Sequence, residues 1–263
     1  MSLVFLGVDA AWGPVHETGV VALEPNGKVL DAGWTVGLQE TVDWIATRAG
    51  SDAVVFVDAP LLVTNAEGQR LCEKQVGQQY WRWKVSANST NLSKSLEGVA
   101  MRELLVAEHG FRYDDGCDGP PPARPGRVLS ECYPYTTIVG YEPFGYDVER
   151  PTYKRRPKGA RSWPELRARV CDELIANVAQ LKSADPPMDL RSHPLTRKLV
   201  EEPSPLAGKA YKHREDLLDA ALCAWTASLW HRHGLAACQV LGHESDGARP
   251  AATIIAPARP SQR

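Results

Sequence analysis

No run of apolar residues in this 263-residue chain approaches the roughly 20 that a bilayer-crossing helix needs, so no membrane span is predicted. Nor is there a Cys-x-x-Cys pair. The six cysteines (Cys72, Cys117, Cys132, Cys171, Cys223 and Cys238) are scattered singly, which argues against a zinc site and, at this length, against a disulfide framework. A reducing cytoplasm is the expected compartment. Charge of one sign is also missing: the net charge is −2, so any role with nucleic acid must rest on a local basic patch. No Gly-x-x-x-x-Gly-Lys-[Ser/Thr] loop, no Gly-x-Gly-x-x-Gly after a strand and no Gly-x-Ser-x-Gly elbow occurs, which leaves nucleotide-cofactor and serine-hydrolase readings without support. The apolar start, Leu3 to Gly7, has no basic leader and runs straight into Asp9. It reads as a first strand and not as a signal peptide.

What is present is ordinary globular composition, 43% hydrophobic and 24% charged, in a chain long enough to bury a substantial core. Three β-like runs come first: Leu3 to Asp9, Thr18 to Glu24 and Lys28 to Val36, the last two joined by the tight-turn signal Pro25-Asn26-Gly27. Helical spacing follows over Gln39 to Ala49, then the continuous apolar run Ala53 to Val57, typical of a strand buried on both faces. The order β-β-β-α-β predicts an antiparallel three-strand meander continued by parallel strands, a mixed α/β sheet flanked by helices. Residues 64–126, with a helix over Ser95 to His109 and a Pro/Gly-rich loop over Gly116 to Gly126, read as a helical insertion within a single domain spanning 1–263. Beyond it lie a strand at Arg127 to Cys132, helices at Pro164 to Lys182 and Glu215 to His233, and two closing strands, Cys238 to Leu241 and Thr253 to Ala256.

The carboxylates matter because of where they fall. Asp9 ends the first strand, Asp58 follows the fourth, Glu131 lies on the next, and Asp216 and Asp219 share one face of the last long helix. Strand ends beside a crossover are where open α/β sheets build sites, and hard cations such as Mg²⁺ want oxygen ligands converging from several elements. Plainer roles compete: an Asp at a strand end is a turn former, and Asp216 in a first helical turn would complement the helix dipole. Asp219 is harder to dismiss, because Leu217-Leu218-Asp219-Ala220-Ala221-Leu222 would bury an unpaired charge unless a cation or donors meet it.

Gly7-Val8-Asp9, Val57-Asp58-Ala59-Pro60, Glu131-Cys132-Tyr133-Pro134 and Asp216-Leu217-Leu218-Asp219-Ala220 resemble, in order and spacing, the motifs of the family catalogued as domain of unknown function 429. The resemblance runs from the first strand to the closing hairpin. It implies a ribonuclease-H-like fold and a metal-dependent nuclease activity with Mg²⁺ or Mn²⁺. Asp9, Asp58 and Asp219 would be catalytic and metal-holding, and Asp216 and Glu131 would stand at the rim of the metal site or behind it. Arg70-Leu71-Cys72-Glu73 resembles an Arg-x-Cys-Glu pattern of the same family. Arg70, with Glu73 and with Tyr133 of the neighbouring motif, would then contact substrate. An ion pair between Arg70 and a nearby acid is the structural alternative.

Between Arg150 and Arg169 stand eight basic residues against one acid, Glu165. Within it, Lys154, Arg155, Arg156 and Lys158 are the candidates for contacting nucleic-acid phosphates, with a solvated loop as the alternative. Tyr80-Trp81-Arg82-Trp83-Lys84 interleaves aromatics with bases, which suits single-stranded nucleic acid or simple packing. His213 lies near the acidic helix face, where it would cap that helix. Three functions follow: a phosphodiester hydrolase on DNA, RNA, a branched structure or a small nucleotide; a non-catalytic binding module on the same fold; and an actin- or sugar-kinase-like phosphotransferase. The last is weakened by Asp9-Ala10-Ala11-Trp12-Gly13, a poor phosphate loop.

Overall fold

The structure is a computed structural model and describes residues 3–262 apart from 12, 14, 15, 95, 122–125 and 244–246. Its centre is a six-stranded mixed sheet in the order β3-β2-β1-β4-β6-β5. Strands β1 (Val4–Asp9), β2 (Glu17–Leu23) and β3 (Val29–Val36) form the antiparallel meander, and β4 (Ala53–Val57), β6 (Arg127–Glu131) and β5 (Phe111–Tyr113) continue it in parallel. The Pro25-Asn26-Gly27 turn closes the β2–β3 hairpin, with Gly27 at φ +87° and Lys28 N–H donating to Asn26 Oδ1 at 2.9 Å. Strand β5 comes from within residues 64–126, so that stretch, besides carrying α2 (Leu71–Tyr80) and α3 (Glu97–His109), supplies an edge of the sheet itself.

Alternation along the strands divides the core in two. Val4, Leu6 and Val8 of β1, with Val55 and Val57 of β4, pack on α1 (Gly37–Arg48) and α3 through Val42, Ile45, Met101 and Leu105. Phe5, Val54 and Phe56 face the other way, onto α7 (Gly208–His233). Residues i and i+2 of a strand share a face, so Asp9 and Asp58 leave their strands on the α7 side. The helix can come that close because β1 and β2 carry glycine beneath it. A Cβ at Gly7 would stand 2.0 Å from Ala220 O, and one at Gly19 would stand 2.4 Å from Asp216 O.

Helix α4 (Pro134–Gly140), α5 (Trp163–Ala179), α6 (Pro194–Glu201) and the small antiparallel pair β7 (Cys238–Leu241) and β8 (Ile254–Pro257) complete the α7 side. Helix α7 begins at Gly208, seven residues before the expected Glu215 start. The apolar periodicity is masked there by Lys209, Lys212, His213 and Arg214, which lie on its exposed side or are individually paired. His213 therefore caps nothing; it pairs with Glu17 and stacks on Trp34 at 4.4 Å between ring centroids. All six cysteines are free thiols. Among the described residues no helix is long and apolar enough to cross a membrane.

Candidate metal centre

Asp9 is the last residue of β1, and Asp58 follows β4 directly, its N–H bonded to Val8 O at 2.8 Å. The two therefore stand side by side at the ends of adjacent parallel strands. Asp219 comes down from α7 onto the same point, fully buried. Carboxylate oxygens of the three lie within 4.8 Å of one another. Asp216, one helical turn earlier, neighbours Asp9 and is ion-paired at 2.5 Å with Lys212. It sits in the helix interior and not in its first turn, which removes the dipole explanation.

Above the carboxylates opens a cleft of about 930 Å³. Asp9, Asp58 and Asp216 lie in its lining; Tyr133, Tyr135, Arg150 and Arg155 form one wall, and Lys209 and Lys212 of α7 another. Burial raises the Asp9 carboxyl well above the usual range; Lys154 opposes this, and Asp219, Asp58 and Asp216 add to it. Burial likewise pushes Asp58 up to about 7, with Lys154 again opposing and Asp219 and Glu131 reinforcing. Like charges crowded at low dielectric cost free energy unless a proton or a cation joins them.

Lys154 lines the cleft but does not face the solvent side alone. Expected to contact nucleic-acid phosphates or to stand in a solvated loop, it is turned inward, with Nζ on Asp219 Oδ2 and its side chain 19% exposed. Burial alone would lower its pKa, but Asp219, Asp9 and Asp58 outweigh that and hold it well above the ordinary lysine value. The preceding residue is also drawn in: the Tyr153 hydroxyl donates to Asp219 Oδ1 at 2.6 Å. Arg155 lines the cleft, whereas Arg156 is exposed with its guanidinium folded back onto Ala160 O, and Lys158 is exposed away from the cleft lining. Arg150 lies over the Tyr135 ring, 4.2 Å from its centroid.

Glu131 is not with the three aspartates. Its carboxylate takes a two-pronged contact from Arg70, Nη1 to Oε2 at 2.7 Å and Nη2 to Oε1 at 2.6 Å, and a third bond from Leu61 N–H at 3.1 Å. Arg70 Nε meets Glu73 Oε1 at 2.9 Å. Arg70, Glu73 and Glu131 are all buried, so their motif is an internal strut tying α2 to β6, as in the ion-pair alternative, and the guanidinium has no free edge for a phosphate. Tyr133 does line the cleft, its hydroxyl donating to Ser86 O at 3.3 Å. In the aromatic run, Tyr80 and Trp83 are buried as packing and Trp81 is 73% exposed.

The family described as protein of unknown function (DUF429) matches residues 7–244. This chain belongs to that family. All five acids of the DUF429 motifs fall inside the matched span. A comparison with curated proteins gives no match. Among solved structures, a ROK family protein from Streptococcus pneumoniae TIGR4 in complex with sucrose aligns at 11% identity, over 88% of this DUF429 chain and 98% of that one, with a TM-score of 0.28. Likeness at that level carries no argument about the site. Sequence reasoning missed Tyr153 and Lys212. Only Lys212 had a signal, its i,i+4 spacing to Asp216 on one helix.

Proposed function

We propose that this protein is a divalent-metal-dependent phosphodiester hydrolase acting on nucleic acid, on a ribonuclease-H-like scaffold. The observation that carries the reading is the convergence of Asp9, Asp58 and Asp219 oxygens within 4.8 Å, the first two lining a cleft that also has basic residues in its lining and the third buried behind them. The donor set fits Mg²⁺ or Mn²⁺: it is all oxygen, anionic and drawn from three elements. The raised carboxyls of Asp9 and Asp58 support the fit, because such a pair gains most when a cation replaces its protons. A bound divalent cation would supply Lewis-acid polarisation of a phosphate oxygen. The chain's own residues would do the rest: Arg155 and Lys212 attract the backbone, and Tyr133 and Tyr135 border it with aromatic surface.

Labelled single-stranded DNA, RNA and a branched duplex, each incubated with Mn²⁺ and with a chelator, test the reading. Cleavage is expected only with Mn²⁺ and is expected to vanish in Asp58→Asn. Uncleaved substrates with Mn²⁺ demonstrably bound would remove the hydrolase. One observation favours a second reading, a non-catalytic binding module: Lys154 already offsets part of the acidic charge from within the chain. That module would gain melting temperature from Mn²⁺ and cleave nothing.

A further inference from the structure

Asp219 differs from its two partners in what surrounds its oxygens. Oδ1 accepts the Tyr153 hydroxyl at 2.6 Å, and Oδ2 is ion-paired with Lys154 Nζ. Asp9 and Asp58 line the cleft, and among the described residues no N–H donor or alcohol hydroxyl is hydrogen-bonded to either carboxylate; they contact each other, and Asp9 also contacts Asp216. Oδ2 of Asp219 makes no hydrogen bond beyond that ion pair, yet a buried carboxylate held by a hydroxyl and an ammonium, beside two that meet only other carboxyls, makes the site asymmetric. On the cleft wall beside it, the Tyr135 hydroxyl is buried with no hydrogen-bond partner, a polar group left for a ligand.

We propose that Lys154 is a fixed second cation of this centre, so that the site takes one divalent ion, on Asp9 and Asp58, and the ammonium fills the position a second ion would need. The proposal rests on the metal-site reading above and narrows its ligands from three carboxylates to two, Asp219 being held by Lys154 instead. Asp9, Asp58, Asp219, Asp216 and Glu215 face two ammoniums, Lys154 and Lys212, a residual −3 that one divalent ion takes to −1 and two to +1, so position decides: a second ion on Asp219 needs Lys154 to leave. Leaving is costly, because the ammonium would strand a fully buried carboxylate. The backbone also resists, since Tyr153 is fully buried, bonded to the same Asp219, and its carbonyl accepts the Tyr211 hydroxyl at 2.7 Å. An ammonium carries three N–H donors, so with one on Asp219 the others remain for a phosphate oxygen entering the cleft. Lys154 thereby becomes a charge at the reacting group and not one more contact along the strand.

Mn²⁺ titration by calorimetry, with bound ions counted by electron paramagnetic resonance, tests this on the full chain. Wild type is expected to bind one ion. Lys154→Met is expected to bind two, since Asp219 Oδ2 is then free to join as a ligand. Two ions on wild type, or one on Lys154→Met, would overturn the assignment while leaving the metal site intact. Asp219→Asn covers a Lys154→Met chain that does not fold: it should keep one ion, weakened by no more than about a hundredfold, the range that changes behind the ligands produce. Loss of binding there would make Asp219 a ligand and sink the proposal. No ion on wild type or on any variant would remove the hydrolase reading and this one with it.

Discussion

Replacing Arg70 by Met separates a structural strut from a substrate contact. The guanidinium makes three charged contacts, two to Glu131 and one to Glu73, all of them buried. Without it Glu73 Oε2 keeps two backbone donors, Arg70 N–H and Thr90 N–H, each at 3.0 Å. Glu131 keeps only Leu61 N–H. The variant thus leaves one buried carboxylate nearly bare. Breaking one side of a buried ion pair costs about 3–5 kcal/mol. In a protein of this size that corresponds to a fall in melting temperature of roughly 10 °C, at about 2–4 °C per kcal/mol.

The assay is thermal unfolding with and without Mn²⁺ across pH. Burial already raises the Glu131 carboxyl, with Arg70 opposing, so losing Arg70 raises it further. A group whose folded pKa is raised is stabilising below its unfolded value and loses that contribution as pH rises. The Arg70→Met deficit should therefore be smallest near pH 4 and largest above neutrality. Adding Glu131→Gln should restore part of the loss at neutral pH by removing the stranded charge. An unchanged melting temperature together with weakened nucleic-acid binding would refute the strut and return Arg70 to the substrate.

Asp58→Asn should grow more stable relative to wild type, in chelator, as pH rises from about 4 to about 7. Unfolded Asp58 ionises near the ordinary value of about 4, whereas the folded group holds its proton up to about 7 and the amide does not titrate. A gap that narrows over that window would contradict the crowding argument. In the basic loop, Arg155→Ala should lower the slope of log affinity against log salt by about 0.7 to 0.9. Arg156→Ala should lower it less, because that guanidinium is folded onto Ala160 O. Equal slopes for both variants would place the strand outside the cleft.

Much of the sheet could be read from the chain because its physics is local. The apolar run Ala53 to Val57 is bounded as expected, since five buried residues in a row leave no other reading between Gly50 and Asp58. Cys238 to Leu241 and the Pro25-Asn26-Gly27 turn are likewise as expected. Strand β5 was not legible. Among the described residues its three residues, Phe111 to Tyr113, pair with β6 alone, and their strand character comes from a partner on the other side of the Gly116 to Gly126 loop. Helix α2 was hidden for a related reason. Its buried face includes Glu73, a charged residue that is internal only because Arg70 and two backbone donors receive it.

The candidate site divides the same way. Asp9 and Asp58 were readable because a strand end fixes both position and facing, and Asp219 because an acid inside Leu217-Leu218-Asp219-Ala220-Ala221 must be compensated. What compensates it could not be read. Lys154 looks like its neighbours Arg155, Arg156 and Lys158 in any pattern of charge, and only Tyr153, pinned between Asp219 and Tyr211, turns it inward. A buried acid announces that a partner exists. It does not say whether the partner is an ion from solution or an ammonium from elsewhere in the chain, because both satisfy the same electrostatics. Here the ammonium sits on the buried oxygen, while Asp9 and Asp58 line the cleft with no N–H or alcohol donor among the described residues. The compensation is thus partial, and the part left over is a pair of carboxylates facing the cleft.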